Sequence, residues 1–449
     1  MYKPSSYNFV WPLEESNNLL LFNGLTTRLA EISGDFARLL EAEQVDPEAL
    51  SAQERKLAEE LIGDGFLVEE PVNELKLIKY AANSQKYNRD VLSLTIAPTM
   101  DCNFKCPYCY QGGSPATDMT EEVRDALVEY AARSTSRVNR LLITWFGGEP
   151  LLAREIIYRL SEELIAAAGK NGCSYAAFMV TNGALLDAGT INKLKDYGVG
   201  TFQVTLDGPP EMHNSKRNLP GGGDSFGLIL ANIKELLNNG LKVHIRVNID
   251  GENLAGIEEL LDILAGKGIK NANIYPAQIA PYTEACKSIE QSCLNKKEFV
   301  EISKRFFEML LMKGLATDYG KLLPRRRTNY CGADQINSFS VDPEGYLYKC
   351  WSDFGAKEHN VGNIVDLSRG GKLKNGHIDW LTWDPLDFSQ CRKCKYLPLC
   401  MGGCPHKGMK MNGGKPECSE IRFHLESIVK NHYRCVKIKE YCRKISGQI

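Results

Sequence analysis

The stretch TMDCNFKCPYCY, at positions 99–110, decides the fold and organises the rest of the sequence around it. It places Cys102, Cys106 and Cys109 in the spacing CxxxCxxC, directly after the apolar run Val91–Ala97, which predicts a strand. Three thiolates on one short loop indicate a metal site. A closed zinc site takes four protein ligands, whereas a cubane iron-sulfur cluster held by three thiolates keeps one iron free. The spacing alone leaves open a zinc knuckle with a distant fourth ligand, or reduced surface thiols.

The same spacing resembles the signature of the radical S-adenosylmethionine (SAM) enzymes. The resemblance implies that Cys102, Cys106 and Cys109 hold a [4Fe-4S] cluster whose free iron is chelated by the amino and carboxylate groups of SAM. An electron from the cluster would release a 5'-deoxyadenosyl radical, which takes a hydrogen atom from the substrate. In this scheme the cofactor supplies the difficult chemistry, and the protein supplies orientation and excludes water. Tyr108 matches an aromatic position that lies against the adenine in this family.

Length and composition describe a large globular protein. The chain has 449 residues, which predicts two or three domains, and its 43% hydrophobic and 24% charged residues allow a sizeable core. With a formal net charge of -2 and no basic block, the sequence gives no support for nucleic-acid binding. No apolar stretch has the length of a membrane span, and the start MYKPSSYNF does not read as a signal peptide. We therefore expect a cytoplasmic protein without a membrane or nucleic-acid partner.

The fifteen cysteines favour metal binding over disulfides. Disulfide frameworks are typical of small secreted domains, and this chain is long and lacks an export signal. The cysteines also cluster in CxxxCxxC and CxxC spacings, which are typical of metal ligands.

The first ninety residues contain no metal motif. YNFVWPL and NLLLFNG predict two short strands joined by the turn EESN, and TTRLAEI and SAQERKLAEELIGDGFLVEE predict helices, the second ending at a glycine. This pattern is winged-helix-like and resembles the leader-peptide recognition domain of peptide-modifying radical SAM enzymes, in which a peptide adds as a strand to an open sheet edge. A lid that only covers the bottom of the barrel is the alternative.

Between Val91 and Ala280 strands alternate with helices, which predicts a parallel sheet. The predicted strands are Val91–Ala97, Arg140–Phe146, Ser174–Thr181, Thr201–Leu206, Lys242–Ile249 and Asn271–Ala280. The intervening helical patterns are EEVRDALVEYAARS, AREIIYRLSEELIAAA, TINKLKDYG, GLILANIKELLNNG and IEELLDILAGKG. Six such units resemble the partial (β/α)6 barrel of the radical SAM family. Chemistry in barrels of this kind gathers at the carboxyl ends of the strands.

The loops after the second and third predicted strands carry candidate SAM contacts. Gly147, Gly148 and Glu149 belong to a GGEP motif of the family, in which the glycine backbone approaches the SAM ammonium group and the glutamate accepts its protons. The third strand ends at Thr181 and Asn182, which resemble residues that lie near SAM in relatives; an isolated Asn-Gly pair would only be a turn.

The fourth and fifth predicted strands supply the remaining candidates. The run Thr205-Leu-Asp207-Gly, followed by His213, Arg217 and Ser-Phe, resembles a loop of the same family. By that resemblance Thr205 and Asp207 contact the ribose or the methionine end of SAM, and Arg217 is a candidate partner for a carboxylate. A structural ion pair between Asp207 and Arg217 is the alternative. Asn248, at the end of the fifth strand, is a further candidate.

A second cysteine set occupies the C-terminal third, in the spacings Cys331-x13-Gly345-x4-Cys350, Cys391-x2-Cys394-x5-Cys400-x3-Cys404 and Cys418. The set resembles the seven-cysteine SPASM pattern, which implies two auxiliary [4Fe-4S] clusters and three clusters in all. The first would be held by Cys331, Cys350 and Cys404, and the second by Cys391, Cys394, Cys400 and Cys418. Zinc ribbons are the alternative, because CxxC pairs also suit zinc.

One departure from the pattern bears on the reaction. Sulfatase-maturing relatives have an additional cysteine that completes the first auxiliary cluster, and an aspartate after the second SPASM cysteine. Here no such cysteine is present in GADQINSFSVDPEGYLYKCW, and Trp351 follows Cys350. An open iron in that cluster could bind a substrate thiolate and lower its pKa, as proposed for thioether-forming maturases. Cys286 or Cys293 could instead supply the missing ligand. Most of the five cysteines outside the motifs are predicted to be buried: Cys173, Cys286, Cys293, Cys435 and Cys442.

The sequence therefore predicts an α/β enzyme of three domains: residues 1–90 for leader-peptide recognition, 91–320 for the radical SAM partial barrel, and 321–449 for SPASM. The predicted reaction joins a cysteine sulfur to a carbon of another residue of a precursor peptide, with flavodoxin or ferredoxin as the electron donor. Alternatives are formylglycine or quinone cofactor formation in a folded enzyme, carbon-carbon or carbon-oxygen cross-linking of a peptide, and a cluster or zinc scaffold without catalysis. No protein side chain is assigned a catalytic role beyond holding the cofactors.

Overall fold

The structure is a computed structural model that describes residues 1–14, 16–112, 115–280, 289–316 and 323–446, with side chains to residue 437. The chain folds into two compact units, and each unit is made of segments that are not consecutive in the sequence. Unit 1 comprises Met1–Tyr87, Asp318–Asp334 and Trp383–Ile449, and unit 2 comprises Asn88–Thr317 and Gln335–Thr382. The division into three functional domains stays a prediction.

The strands are β1 (Tyr2–Pro4), β2 (Asn8–Pro12), β3 (Asn18–Asn23), β4 (Leu29–Ser33), β5 (Leu67–Glu69), β6 (Val91–Ile96), β7 (Arg140–Trp145), β8 (Ser174–Thr181), β9 (Val199–Thr205), β10 (Lys242–Ile249), β11 (Asn273–Gln278), β12 (Ser338–Val341), β13 (Tyr346–Tyr348) and β14 (Gly362–Asn363). The helices are α1 (Arg38–Glu41), α2 (Ala52–Gly63), α3 (Glu74–Lys86), α4 (Glu121–Thr135), α5 (Arg154–Lys170), α6 (Ala188–Asp196), α7 (Pro210–Lys216), α8 (Ser225–Asn238), α9 (Ile257–Gly266), α10 (Lys296–Met312), α11 (Ile364–Ser368), α12 (Gly376–Thr382), α13 (Ser389–Arg392), α14 (Leu397–Cys400) and α15 (Ile421–Ser446). None of the helices in the described part of the chain combines the length and the apolar character needed to cross a bilayer.

The N-terminal part of unit 1 is a small antiparallel sheet in the order β2-β3-β4, with β1 paired to β5. The two predicted strands are present; Glu15 of the predicted turn lies outside the described residues. The helix predicted over TTRLAEI is wrong, because Leu29–Ser33 pairs with β3 as its third strand. Cross-strand pairing with a buried neighbour outweighs the weak helical preference of so short a segment. The second predicted helix is present and ends at Gly63, and a Ser51–Glu54 capping box fixes its start. Whether this part is a winged helix stays a prediction.

This N-terminal sheet shares a core with the C-terminal segment of unit 1. Phe9 and Phe22 pack with Leu399, Leu425 and Val429 in one buried cluster. The cysteine-bearing segment around α13 and α14 therefore folds against the N-terminal strands rather than by itself.

Unit 2 is built on a nine-stranded sheet in the order β11-β10-β9-β8-β7-β6-β12-β13-β14. The six strands from β6 to β11 are parallel neighbours in chain order, and their ends differ from the predicted ones by at most two residues. The five predicted helices between them are also present. This alternation is consistent with the partial barrel of radical SAM enzymes.

The sheet continues past β6 with strands that the sequence analysis did not predict. β12 adds parallel to β6, and β13 and β14 follow antiparallel. The turn between β12 and β13 contains Gly345 at a φ of 82°, a conformation that favours glycine. These strands have four residues or fewer and therefore give a weak sequence signal.

Candidate functional site

The three cysteines of the CxxxCxxC motif lie on the loop that follows β6 at its carboxyl end. The Cys109 amide donates to the carbonyl of Cys106 at 3.1 Å, and the Phe104 amide donates to the Cys102 thiol at 3.4 Å. Burial raises the pKa of Cys102 to about 12, and the charges of Glu149, Cys106 and Cys109 add to the rise. The three thiols are therefore close enough to affect one another's ionisation.

The donor set fits an iron-sulfur cluster. Thiolate is the ligand such clusters take, and each thiolate binds a different iron, so the sulfurs need not converge on one point. Within the residues that the structure describes, no three His, Cys, Asp or Glu side chains are grouped so as to hold a single metal ion. Cys102, Cys106 and Cys109 would hold the cluster, which binds SAM in this family.

The two glycines of the GGEP motif allow the loop after β7 to pack against the cysteine loop. A Cβ on Gly147 would lie 2.3 Å from the Thr99 carbonyl oxygen, and one on Gly148 would lie 2.2 Å from that of Asp101. Gly147 also has a φ of 118°. The Glu149 amide donates to the Asp101 carbonyl at 2.8 Å. Only glycine fits this approach, so the motif positions the cysteine loop in addition to any contact with SAM.

Glu149 is fully buried, and its carboxylate accepts three hydrogen bonds. Its Oε1 accepts hydrogen bonds from Thr181 Oγ1 at 2.8 Å and from the Leu151 amide at 3.1 Å. Its Oε2 accepts one from the Asn182 amide at 2.7 Å. Burial raises the pKa of Glu149, although the hydrogen bonds act in the opposite direction. The predicted acceptor of the SAM ammonium thus also ties β7 to β8.

Asn182 connects β8 back to the cysteine loop. Its Nδ2 donates to Asn103 Oδ1 at 2.6 Å, inside the CxxxCxxC motif, and its Oδ1 accepts from the Ala184 amide at 2.9 Å. The side chain is 7% exposed. Asn103 was not predicted as a site residue, because a single asparagine between cysteines carries no pattern of its own.

Tyr108, Asp207 and Arg217 form a buried polar cluster. The Tyr108 hydroxyl donates to Asp207 Oδ2 and accepts from Arg217 Nη1 at 2.8 Å, while Arg217 Nη1 lies 3.8 Å from Asp207 Oδ2. Burial alone would lower the pKa of Arg217, but Tyr108, Cys106 and Asp207 raise it, so the guanidinium is charged. The ion pair considered for Asp207 and Arg217 is present, and Tyr108 bridges it.

Asn253 links the ends of β9 and β10, although sequence reasoning missed it. Its Nδ2 donates to the carbonyl oxygens of Asp207 and Asn248, both at 2.7 Å. Its Oδ1 accepts from the Asp250 amide at 2.9 Å, and its side chain is completely buried. Asn253 therefore fixes the backbone of two predicted SAM contacts.

His213 supports the same loop. Its Nδ1 accepts from the Asp207 amide at 3.2 Å, and burial lowers its pKa to about 3. The ring is therefore neutral at physiological pH, as expected of a structural hydrogen-bonding residue. Thr205 is the last residue of β9, two positions before Asp207, and is 9% exposed.

The cysteines predicted to bind a second auxiliary cluster lie together in unit 1. Burial raises the pKa of Cys391 to about 11, and Cys400, Cys394 and Cys418 add to the rise. For the other predicted set, burial raises the pKa of Tyr330, and Cys404 and Cys331 contribute. Cys350 belongs to unit 2.

The described cysteines outside the motifs differ in how deeply they are buried. Cys173 is buried in the core of unit 2, whereas the Cys293 thiol lies 3.3 Å from the Ile289 carbonyl oxygen. Cys435 is half-buried on α15. Cys286, which was considered as a cluster ligand, lies outside the described residues, as does the side chain of Cys442.

Trp351, which follows Cys350, stacks on Phe146, which precedes Gly147. Their ring centroids are 5.5 Å apart and their planes differ by 26°. Two residues further on, Asp353 is buried, with its Oδ1 3.2 Å from His359 Nδ1. The loop at residues 357–364 thus contacts a carboxylate near Cys350.

Comparison with known proteins identifies the family of the chain. The family model described as Radical SAM superfamily matches residues 96–264, which include the cysteine motif, the GGEP loop and the loop after β9. The chain is 31% identical over 337 residues to Fe-coproporphyrin III synthase of Methanosarcina barkeri, covering 68% of this chain and 80% of that protein. It is 26% identical over 349 residues to the cysteine-type anaerobic sulfatase-maturating enzyme of Clostridium perfringens, covering 70% and 88%.

Among solved structures, the fold is similar to that of SuiB from Streptococcus suis bound to its precursor peptide SuiA. The TM-score is 0.53 at 16% identity, and the match covers 94% of this chain and 99% of SuiB. This likeness concerns the fold alone. The cysteine loop, the parallel strands that carry it and the extent of the match to the Methanosarcina enzyme lead to one conclusion: the chain belongs to the radical SAM superfamily and is an enzyme of that family.

Proposed function

We propose that this enzyme modifies a ribosomally made precursor peptide and forms a thioether between a cysteine sulfur and a carbon of another residue. One observation carries the proposal: the first SPASM-like set, Cys331, Cys350 and Cys404, lacks the additional cysteine found between the first two in sulfatase-maturing relatives, and Trp351 stands where a carboxylate would serve as base. The stacking of Trp351 on Phe146 supports it, because this contact joins the Cys350 segment to the GGEP loop within unit 2. The fold shared with a peptide-bound radical SAM enzyme supports a peptide substrate.

The cofactors, when bound, supply a hydrogen-abstracting radical at SAM and an open iron for a thiolate at the auxiliary site. The chain holds and orients them. The ten proposed SAM contacts are Tyr108, Gly147, Gly148, Glu149, Thr181, Asn182, Thr205, Asp207, Arg217 and Asn248. Arg217 is charged and buried, which suits binding of a carboxylate. Their burial also excludes water from the reacting atoms.

The reaction balances with the partners proposed. The peptide loses a hydrogen atom from carbon and a proton from sulfur, and a carbon-sulfur bond forms. The hydrogen atom leaves with the 5'-deoxyadenosyl group, the proton goes to solvent, and one electron is left over for the auxiliary cluster. An electron donor such as flavodoxin or ferredoxin supplies the electron that starts each turnover. We propose that residues 1–90 bind the leader part of the peptide and that the enzyme works in the cytoplasm.

The test needs a candidate substrate, so the DNA beside the gene is searched for a short reading frame that encodes a cysteine-containing peptide, and that peptide is synthesised. Anaerobic enzyme, SAM and reductant should convert it to a product lighter by two hydrogens whose cysteine no longer reacts with a thiol reagent. A peptide with that cysteine replaced by serine is the control and should stay unmodified. If the serine peptide also loses two hydrogens, the reaction is carbon-carbon or carbon-oxygen cross-linking, and thioether formation is wrong.

Metal analysis tests the cofactor content. Three cubanes require roughly twelve irons and equal sulfide per chain. Replacing Cys102, Cys106 and Cys109 together by alanine should abolish SAM cleavage and leave roughly eight irons. Zinc in place of iron would contradict the three-cluster proposal.

A second candidate function is maturation of a folded enzyme, with formylglycine or a quinone cofactor as product. The match to the sulfatase-maturating enzyme of Clostridium perfringens favours it. Trp351 disfavours it, because it replaces the aspartate expected at that position. Conversion of a sulfatase-derived peptide with an aldehyde product would establish this function instead.

A further inference from the structure

Phe146 and Trp351 form a stacked pair, here called the aromatic pair, at the carboxyl end of the parallel sheet. Phe146 follows β7 directly and precedes Gly147, whereas Trp351 comes directly after Cys350. Each ring is thus one residue away from a group proposed to hold a cofactor. The pair thus joins the segment that carries Gly147 to the segment that carries Cys350 within unit 2.

The aromatic pair rests on a rigid base. Phe354 lies 6.2 Å from Phe146 and contacts Tyr348 edge-on at 5.7 Å, in a small core with Ala97. Tyr348 and Ala97 are completely buried. A base of this kind leaves the Phe146 ring little freedom to move, so the indole stacked on it is held in place.

The outer surface of Trp351 is open to solvent. The residue is 46% exposed, although tryptophan is on average among the most buried residues. A single exposed apolar residue would need no explanation elsewhere on the surface. Here it follows the proposed cluster ligand Cys350 directly and stacks on the ring that precedes Gly147, so it lies next to groups proposed to hold both cofactors.

We infer that Trp351 binds the peptide substrate, with its exposed indole packing against an apolar side chain next to the carbon that reacts. The inference rests on the proposed function, because it assumes a peptide between the two cofactor sites. An indole provides a large, flat and rigid contact at a low cost in conformational entropy. The Phe146 ring beneath it sets the height of this contact above the GGEP loop. Trp351 is thus a specificity-determining residue, and it favours apolar over charged side chains.

The experiment compares Trp351→Ala and Trp351→Phe with Ile378→Ala, a control in unit 2 that is 53% exposed and distant in sequence from the cofactor motifs. The probe is the same candidate peptide as in the thioether test, labelled for fluorescence anisotropy. We expect Trp351→Ala to raise the peptide Kd about tenfold, which corresponds to about 1.4 kcal/mol. Trp351→Phe should stay within about threefold of the wild type, because a flat ring remains, and Ile378→Ala should bind like the wild type. Iron content and far-ultraviolet circular dichroism check that each variant is folded and loaded.

A double-mutant cycle makes the contact specific. Replacing the apolar peptide residue next to the reacting carbon by serine should weaken binding to the wild type but have little further effect on Trp351→Ala. Independent effects of the two changes, or an unchanged Kd for Trp351→Ala, would overturn the inference.

The outcome separates the inference from the proposed function. A weakened Trp351→Ala complex, together with a product that is not a thioether, would retain the contact and reject the thioether. A thioether product with an unchanged Kd for Trp351→Ala would do the reverse. A wild-type enzyme that neither binds nor modifies the peptide would reject both.

Discussion

The backbone amide of Asn182 donates a hydrogen bond of 2.7 Å to the carboxylate of Glu149, so a buried acid joins the loops after β7 and β8. The Asn182 side chain in turn holds Asn103 between the first two cysteines of the motif. A chain of hydrogen bonds thus runs from the GGEP loop through β8 to the cysteine loop. Residues that resemble SAM contacts also determine the shape of the loop that carries the thiols.

Glu149→Gln should destabilise this connection. Glutamine has one carbonyl oxygen, so its NH2 group would face either the Asn182 amide or the pair of donors from Thr181 and Leu151. A buried donor without an acceptor costs about 1–3 kcal/mol. We expect a lower midpoint of denaturant unfolding and a loss of SAM cleavage. Glu155→Gln, at an exposed site on α5, is the control. Wild-type stability of Glu149→Gln would show that the three hydrogen bonds contribute little.

Gly148→Ala should disrupt the cysteine loop. The added Cβ would lie 2.2 Å from the Asp101 carbonyl oxygen and 2.5 Å from that of Met100, so the backbone has to move. We expect lower iron content at the SAM cluster and at least a hundredfold loss of SAM cleavage, an estimate based on the sensitivity of activity to small displacements. Gly169→Ala on α5 is the matched control, because a Cβ there meets no atom within 4 Å. Equal iron and activity in the two variants would contradict this account.

The sequence predicted the parallel strands well because each is a run of apolar residues between clear helices. The helix predicted over TTRLAEI was wrong because seven residues hold too little periodic signal to decide between helix and strand. In that segment the pairing partner, β3, decides the outcome. The short strands β12 to β14 were missed for a similar reason.

The candidate site was predictable where spacing or motif carries the information. Cysteines, glycines and the acid of GGEP have fixed offsets and were found from the sequence. Asn103 and Asn253 were not, since their roles depend on carbonyl and amide groups brought near by folding. The stacking of Trp351 on Phe146 is likewise a contact between distant parts of the chain. No pattern in the sequence predicts such contacts.

The free energy of unfolding should depend on pH through the ionisation of Asp342. Burial raises the pKa of this carboxyl to about 6, although Oδ2 accepts from Tyr348 OH at 3.0 Å and Oδ1 from the Tyr346 amide at 2.8 Å. Because the folded-state pKa is raised, the folded protein binds the proton more tightly, and this contribution to stability is lost as the pH rises through about 6.

Asp342→Asn removes the ionisation and keeps a carbonyl acceptor for the amides. The unfolding free energy of the wild type should therefore fall relative to that of the variant as the pH rises from about 4 to about 6.5, by an amount on the order of 2 kcal/mol. Denaturant titrations of both proteins at several pH values measure the difference. A constant difference across this range would show that Asp342 does not titrate there.

Two substitutions of Tyr108 separate the contribution of its ring to SAM binding from that of its hydroxyl. Tyr108→Phe keeps the ring that is proposed to contact the adenine but removes the bridge between Asp207 and Arg217. Both hydrogen bonds of the hydroxyl are lost, but the direct ion pair remains at 3.8 Å, so we expect SAM affinity within about tenfold of the wild type. Tyr108→Leu should weaken SAM binding further, because the aromatic face is lost. Equilibrium dialysis with SAM measures both. Equal losses in the two variants would assign the role to the hydroxyl.

Asn253→Asp should weaken SAM binding through the backbone of the site. The asparagine Nδ2 donates to the carbonyl oxygens of Asp207 and Asn248, and an aspartate oxygen in its place would repel both. Because the side chain is completely buried, water cannot replace the lost donor. We expect the SAM Kd to rise at least tenfold while iron content stays at the wild-type level, since the Asn253 side chain bonds to the backbone of Asp207, Asn248 and Asp250 and not to the cysteines. Asn238→Asp, exposed on α8, is the matched control and should bind SAM normally. A wild-type Kd in Asn253→Asp would mean that the ends of β9 and β10 hold their positions without this side chain.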